Sequence, residues 1–400
     1  MLSKMVGGIL LVVGTTIGAG MLALPVATAE LGFWGSMILL VVSWAIMTIC
    51  AFLFLEVNLW LPPNSNLISM AGATLGKWGQ GMAWVVYLVL LYSILSAYIA
   101  GGGDLFHYIL TTGGIHVSLS MSAVLFTCLF GLVVYLGIQF VDYVNRGLMF
   151  GKMGALIVLI LLILPFITMV NLDSGNLKFI TSPASVTVTA VAFGCLLIIP
   201  SLRTYFRDDL QSLRKAIFIG TLIPLVCYIA WDMVIMGVIP LDGTPGLKSL
   251  IHSDGANSSL VMMLSNVMQK TAVTTIAKFF TSICMATSFL SVSLSLSDFL
   301  SDGLSVAKKG YGSIVIMCGT FVPPLIIVLF YPDAFIRGLE YAGISVAVLM
   351  ILMPPMMAWR GRYSKALALD GYQVIGGKLL LLFLMTFAVL TIGVGLRGVL

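Results

Sequence analysis

Three glycines and two threonines are concentrated in the segment "VVGTTIGAGMLALP", residues 12–25. Gly14, Gly18 and Gly20 interrupt an apolar stretch, and both glycine and the β-branched threonines Thr15 and Thr16 weaken a helix. Residues that leave a helix free their backbone N–H and C=O groups, which can then bind an anion or a cation. The alternative interpretation is close helix packing, because Gly14 and Gly18 form a GxxxG pair.

A second weak segment, "AFGCLLIIPSLRTYF", places Gly194 and Pro200 inside another apolar stretch. A proline removes a backbone hydrogen bond and can break a helix. The sequence therefore predicts two interrupted helices, each with exposed backbone groups.

Four charged side chains also fall in apolar stretches, and each needs a partner or a role because an intramembrane charge costs about 2.5 kcal/mol or more. Lys152 either snorkels to the membrane surface or faces the first weak segment, where its protonation state can be coupled to closure; the second interpretation is favoured. Glu56 is either a buried proton site or, as we favour, a structural partner for a basic residue. Asp232 and Lys278 receive no role from the sequence.

No catalytic motif accompanies these residues. The "GGGD" that ends at Asp104 matches the GxGD signature of intramembrane aspartyl proteases, but that chemistry requires a second aspartate, and neither YD nor PAL is present. HExxH and GxSxG are also absent. The six cysteines lie in apolar stretches without a CxxC pair, which indicates neither disulfides nor metal ligands. We expect no enzyme, no cofactor, no metal and no nucleic-acid partner.

The composition predicts the environment of these residues. Of the 400 residues, 60% are hydrophobic and 9% are charged, and the mean hydropathy is +1.12. These values lie far outside the range of soluble domains. The chain is therefore expected to be an all-α integral membrane protein that lies in the lipid bilayer.

The apolar stretches are long enough for helices that cross a bilayer core of about 30 Å. They predict eleven spans, with a first span that is not a removable signal peptide. The third and eighth spans are longer than a perpendicular crossing requires. The predicted spans are residues 5–31, 33–61, 80–110, 117–138, 146–170, 184–206, 214–240, 272–302, 312–331, 334–359 and 378–398.

The loop charges predict the orientation. One side holds Lys4, Lys77, Arg146, Arg203, Arg207, Arg214, Lys215, Lys308, Lys309, Arg360, Arg362, Lys365 and Lys378, and the other side holds Lys178, Lys248, Lys270, Arg337 and Arg397. Because cytoplasmic loops are enriched in lysine and arginine, the N-terminus is expected in the cytoplasm and the C-terminus outside.

The two weak segments fall in the first and sixth spans, which cross the membrane in opposite directions. Paired discontinuous helices in inverted halves indicate the midplane site of a secondary transporter. Half-helix N-termini suit a carboxylate and C-terminal carbonyls suit an ammonium group, so a free amino acid fits both breaks.

Several segments resemble the aromatic amino acid permeases, a tyrosine- and tryptophan-transporting family within the amino acid, polyamine and organocation superfamily. They are "GTTIGAGMLALP", "FLEV", "SAYIAGGGDL", "VDYVNRGLMFGK", "ATSFLSVSLSLSDFLSDGL" and "YAGISVAVL". The resemblance covers essentially the whole chain. It implies a LeuT-type fold in one domain, residues 1–400, with inverted five-helix repeats at about 1–170 and 180–360 and an extra span at about 378–398. It also implies proton symport in a bacterial inner membrane.

The resemblance implies a substrate site and an ion site. The N–H groups around Gly18, Ala19 and Gly20 would meet the carboxylate, with Thr15 and Thr16 beside them. Carbonyls near Ala192 and Phe193 would meet the ammonium, next to Gly194, and Phe193 would gate the pocket. In the ion site, the carbonyls of Gly14 and Ile17 face Thr287 and Ser288, and Lys152 lies in the region where some proton-coupled relatives place an ammonium group.

Tyr92, Tyr98 and Phe289 are candidates to stack on an aromatic substrate, although aromatic residues are also common at lipid interfaces. Tyrosine-specific members carry a histidine and two glycines shortly after the second break, where this chain reads "GCLLIIPS" with bulky aliphatic residues. The shape of the side-chain pocket is thus left open.

The expected function is proton-coupled import of aromatic amino acids by alternating access, with tyrosine favoured over tryptophan or phenylalanine. The alternatives are a sodium-coupled or differently selective transporter of the same fold, or an amino acid receptor that does not transport. The oligomeric state is not predicted.

Overall fold

The computed structural model describes residues 2–63, 65–136, 138–207, 209–243, 246–250, 256–304, 306, 310–331, 334–365, 367 and 371–399. Helices dominate these residues, and no strand occurs among them. Of the basic loop residues, Lys308 and Lys309 lie outside the described residues, as does the side chain of Arg146.

Seventeen α-helices are described. They are α1 (Leu2–Thr16), α2 (Gly20–Ala27), α3 (Gly32–Leu59), α4 (Leu67–Leu75), α5 (Lys77–Thr112), α6 (Leu119–Tyr135), α7 (Ile138–Ile163), α8 (Met169–Leu172), α9 (Pro183–Ala192), α10 (Ile199–Phe206), α11 (Leu210–Val238), α12 (Ala256–Met268), α13 (Thr271–Gly303), α14 (Tyr311–Phe330), α15 (Ala334–Val346), α16 (Met353–Tyr363) and α17 (Gly377–Val399).

The predicted membrane spans correspond to these helices. Within the described residues, nine helical segments are long and apolar enough to cross a membrane, and two of them, Pro183–Phe206 and Ala334–Tyr363, each join two of the helices above. The bent pair α1 and α2 makes a tenth span. The remaining predicted span corresponds to α6, an apolar helix of 17 residues, which is at the short end of the range that can cross a bilayer. The prediction of a multi-pass helical membrane protein is confirmed.

The first span is broken where its glycines predict. The helix α1 ends at Thr16, α2 begins at Gly20, and the two axes differ in direction by 52°. Ile17, Gly18 and Ala19 lie between them outside any helix. All eight residues of α2 are buried, so the break lies inside the protein, where unwound backbone is tolerated at membrane depth.

The sixth span is also interrupted. The helix α9 ends at Ala192, a 3-10 turn spans Leu196–Ile198, and α10 begins at Ile199. Pro200 lies in the first turn of α10, where a missing N–H costs nothing. The break therefore precedes the proline, and Gly194 is inside it.

Two helices are much longer than the bilayer core, as predicted. The helix α5 has 36 residues and α13 has 33, so at ~1.5 Å per residue they extend about 54 Å and 50 Å. The helix α13 packs against both α5 and α7, and its Ser288 faces the first break.

The tenth predicted span contains a wider helical segment. A π-helix at Ala347–Leu352 joins α15 to α16, just before Pro354 and Pro355, which provide no N–H group. Such segments often occur at functional sites. Here the π-helix contacts the second break, because a Cβ added to Gly194 would lie 3.7 Å from Met350 Sδ.

A buried ion pair closes one end of the bundle. Arg362 in α16 donates to both carboxylate oxygens of Glu56 in α3, at 2.7 and 2.5 Å. Glu56 also accepts the backbone N–H of Val374 at 2.8 Å. The predicted structural role of Glu56 therefore has its basic partner, Arg362.

Candidate functional site

The break between α1 and α2 exposes backbone donors. Ala19 N–H donates to Ser288 Oγ in α13 at 2.8 Å. The N–H groups of Gly18 and Gly20 have no hydrogen-bond partner among the described residues. They lie at the N-terminal end of α2, where the helix dipole favours negative charge, so this position can bind a carboxylate.

Two glycines allow the close approach of neighbouring segments at the break. A Cβ added to Gly18 would lie 2.7 Å from Ser288 Oγ, which is too close for a side chain. A Cβ added to Gly20 would lie 3.8 Å from the Cα of Ala192. The two broken spans therefore meet at Gly20, whereas Gly18 packs against α13.

Lys152 reaches the same break from α7. Its Nζ donates to the carbonyl oxygen of Ile17 at 2.6 Å, and the residue is only 2% exposed. The lysine does not snorkel to the membrane surface; it lies in the interior beside Cys284 of α13. Its charge faces the C-terminal end of α1, where the helix dipole is negative.

Tyr228 in α11 connects the two breaks, and the sequence reasoning missed it. Its hydroxyl oxygen lies 2.7 Å from the Thr16 carbonyl and 2.8 Å from the Ala192 carbonyl, which are the last residues of α1 and α9. The residue is fully buried. A tyrosine in the middle of a span, rather than at its interfacial end, was the available signal.

The helix ends place negative and positive partial charges at different positions in the site. The C-terminal ends of α1 and α9 present carbonyls, and the N-terminal end of α2 presents N–H groups. A molecule with an ammonium group and a carboxylate close together matches this arrangement without any acidic side chain.

The second break brings a buried aromatic ring to the site. Phe193 is 1% exposed and packs edge-on against Tyr228, with ring centroids 5.3 Å apart. Its neighbour Gly194 donates its N–H to Val191 O at 3.0 Å. The Cys195 thiol lies beside the Thr16 side chain, so the two interrupted spans are close here as well.

Three predicted hydroxyl groups bond within their own helices. Thr15 and Thr16 donate to the carbonyl of Val12, at 2.9 and 2.7 Å. Thr287 donates to the carbonyl of Ile283 at 2.9 Å. Thr15 is exposed, whereas the other two are buried.

Gly14, a residue of the predicted ion site, also lies near α7. The Gly14 carbonyl lacks the usual intrahelical bond from the Gly18 N–H. A Cβ added to Gly14 would lie 3.0 Å from Met149 Cε, one turn before Lys152 in α7. Gly14, Ile17 and Lys152 are therefore neighbours in space, as the sequence predicts.

The three aromatic candidates face different parts of the protein. Tyr98 is buried and lies beside Ser288, so it borders the first break. Tyr92 donates its hydroxyl to the carbonyl of Gly319 in α14 at 2.7 Å. Phe289 stacks on Phe321 with ring centroids 5.6 Å apart, and it thus points toward α14.

A cavity of about 920 Å³ opens on one side of the site. Leu197 and Pro200 line it, so it reaches the second break, and Tyr87, Asp298 and Asp302 line its wall. At the opposite end of the bundle, α2 is completely buried. The site is therefore approached from the side on which α10 and α13 end.

These features define a class of protein. Apolar spans with two interrupted helices, whose free backbone groups converge in the interior, form a multi-pass membrane transporter of the LeuT type. The structure is similar to the crystal structure of MhsT in complex with L-phenylalanine, with a TM-score of 0.66 over 99% of this chain and 98% of that chain. The sequence identity is 14%, so this similarity establishes the fold.

The chain belongs to the tryptophan/tyrosine permease family, whose model matches residues 1–395. It is 33% identical over 393 residues to "Tyrosine-specific transport system 1" of Haemophilus influenzae, which covers 97% of this chain and 96% of that protein. It is 30% identical over 401 residues to "Glutamine transporter 2" of Aliivibrio fischeri, over 97% and 98% of the two chains. The chain is therefore a permease and not an enzyme, and the family resemblance in the sequence is confirmed.

Proposed function

We propose that this permease imports aromatic amino acids together with protons, by alternating access across a bacterial inner membrane. Tyrosine is the favoured substrate, followed by tryptophan and phenylalanine. The observation that carries the proposal is the convergence of the free N–H groups of Gly18 and Gly20, the carbonyls of Thr16 and Ala192, and the Lys152 ammonium on Ile17.

The backbone groups bind the part common to all amino acids. The carboxylate takes the N–H groups of Gly18 and Gly20 at the start of α2. The ammonium group takes the carbonyls near Ala192 and Phe193 and that of Thr16. These carbonyls already face the Tyr228 hydroxyl, but a carbonyl oxygen has two lone pairs and can accept a second donor.

The side chain of the substrate lies against rings. Tyr98 and Phe193 are the buried rings next to the breaks, and aromatic rings pack favourably on one another. The relatives named for tyrosine transport and the neighbouring structure with bound L-phenylalanine support an aromatic substrate.

Lys152 is the proposed coupling group. When protonated, its ammonium holds the Ile17 carbonyl and thereby the end of α1 in place. When neutral, the amine is a weaker donor and the break is released. A resident ammonium also takes the place that a sodium ion would need among the carbonyls of Gly14 and Ile17, which favours proton coupling over sodium coupling.

The cavity and the bend support the proposal of alternating access. The cavity leads to the site from one side, while the buried α2 closes the other side. We place the N-terminus and the cavity in the cytoplasm and the C-terminus outside, and we assign inverted repeats to about 1–170 and 180–360, each beginning with a broken span.

A second candidate is import of a polar amino acid, because a relative of 30% identity is named a glutamine transporter. The aliphatic segment Leu196–Ile199 borders the second break. It narrows the space there, which favours a smaller side chain.

Counterflow in proteoliposomes tests these proposals. Proteoliposomes that contain the purified protein are loaded with tyrosine. Every amino acid is then assayed as a competitor, with and without a pH or sodium gradient. We expect competition by tyrosine, tryptophan and phenylalanine, and accumulation driven by the pH gradient alone. Failure of all three aromatic amino acids to compete rejects the substrate, and a requirement for sodium rejects the coupling ion.

A further inference from the structure

A buried carboxyl group lies one helical turn beyond Tyr228, toward the closed end of the bundle. Asp232 in α11 is completely buried. At ~1.5 Å per residue it lies about 33 Å from the start of α11, and about 9 Å from the other end. The cavity opens near the start of α11, so Asp232 belongs to the opposite, closed end of the bundle.

The surroundings of Asp232 do not support a charge. Ser36 Oγ lies 2.5 Å from Asp232 Oδ2, and Oδ1 has no partner among the described residues. An isolated carboxylate in an apolar interior is so costly that the group is expected to become neutral instead.

The described charged side chains on the helices that pack against α11 lie away from Asp232. Lys4 and Glu56 lie at the far ends of α1 and α3, Lys152 donates to Ile17, and Arg203 of α10 donates to the end of α3. The side chains of Asp142 and Arg146 in α7 are outside the described residues. The helices α2, α8 and α12 carry no charged residue.

Asp232 begins a chain of hydroxyl groups. Ser36 Oγ lies 2.5 Å from Asp232 Oδ2 and 3.1 Å from Thr28 Oγ1, and Thr28 Oγ1 lies 2.8 Å from the carbonyl oxygen of Leu24. Thr28 is the residue that ends α2. The chain therefore runs from α11 through α3 to the second half of the broken span.

Only the neutral acid completes this chain. Its O–H donates to Ser36, Ser36 donates to Thr28, and Thr28 donates to Leu24 O, so that each proton has an acceptor. If Asp232 is ionised, Ser36 must donate to it. Thr28 then has one proton for two acceptors, Ser36 and Leu24, and one link is lost.

We propose that Asp232 is a second proton-binding site, which must be occupied before the closed end of this transporter can form. When α2 moves and this end opens, water reaches Asp232 and accepts its proton. Closure requires the proton to return from the same side, which is the outside in the topology proposed above. This inference rests on the proposed transport cycle, and it adds to it a proton requirement separate from Lys152.

Infrared spectroscopy tests the proton directly and needs no substrate. The spectrum of wild type minus Asp232→Asn at neutral pH should show the C=O band of a carboxylic acid. Ser36→Ala should shift that band, because the acid loses its hydrogen-bond partner. A carboxylate band in the difference spectrum would overturn the proposal. The shift in Ser36→Ala is an independent check if Asp232→Asn does not fold, and an unshifted band would also overturn it.

Exchange in proteoliposomes tests the requirement for closure. Tyrosine counterflow by the wild type should decrease as the outer pH rises, by up to about tenfold per unit for a single proton. Asp232→Asn, which is permanently neutral, should show a flatter profile. An unchanged profile would overturn the proposal. If the wild type exchanges no aromatic amino acid, the proposed function fails, and the infrared result still decides the protonation of Asp232.

Discussion

The ammonium group of Lys152 lies 2.6 Å from the carbonyl oxygen of Ile17. A charge on α7 is thus attached to the unwound segment of the first span, which links the protonation of one residue to the geometry of the proposed substrate site. A proton-coupled transport cycle requires such a link, and single substitutions can test it.

Replacing Lys152 by glutamine should abolish uphill uptake while exchange of substrate continues. Glutamine keeps a donor near Ile17 but cannot change its charge. Accumulation and counterflow, measured in the same vesicles under a pH gradient, separate the two effects. Lys278→Gln is the matched control, because the Lys278 ammonium lies 4.4 Å from the Tyr108 ring centroid and away from the break. Full uphill uptake by Lys152→Gln would exclude Lys152 as the coupling group.

Gly18→Ala should weaken substrate binding about fivefold or more, because overpacking a filled space costs about 1–3 kcal/mol. The new methyl group would lie 2.7 Å from Ser288 Oγ. Binding is measured by the thermal shift that tyrosine produces. Removing the hydroxyl in Gly18→Ala/Ser288→Ala should restore part of the affinity. Gly154→Ala, which has open space around the added methyl, should bind as the wild type does.

Tyr228→Phe should destabilise the protein by about 1–3 kcal/mol, since buried carbonyls lose their hydroxyl partner. The ring contact with Phe193 would remain. Thermal unfolding in detergent measures the loss, and the exposed Tyr143 provides a Tyr→Phe control. Equal melting temperatures for Tyr228→Phe and the wild type would argue against a structural role of this hydroxyl.

Glu56→Gln should cost about 3–5 kcal/mol of stability, because it leaves the buried Arg362 without its charge partner. Asp242→Asn breaks the exposed pair with Lys248 and should change stability by less than about 1 kcal/mol. Thermal unfolding of both variants gives the comparison. The double substitution Glu56→Gln/Arg362→Met should cost less than the sum of the two single changes.

The sequence predicts the first break well, because Gly14, Gly18 and Gly20 each lower the stability of the helix that contains them. It places the second break less accurately. Pro200 is the obvious helix breaker, yet it occupies the first turn of α10, where it fits, and the chain leaves the helix earlier at Phe193.

Side-chain direction is the part that the sequence cannot provide. Ser288 and Phe289 are neighbours in α13, about 100° apart around the helix. Ser288 faces the break, and Phe289 faces the rings of α6 and α14. The relative rotation of packed helices decides which of the two borders the site, and no local pattern encodes it. The mid-span position of Tyr228 indicates an interior role, but it does not tell which carbonyls its hydroxyl reaches.

Tyr228 lies between the C-terminal ends of α1 and α9. Its hydroxyl lies within hydrogen-bonding distance of the Thr16 and Ala192 carbonyls, but a phenol has a single hydrogen to donate. At any moment one of the two helix ends therefore lacks this donor. In the binding mode proposed above, the ammonium group of the substrate supplies the missing hydrogen.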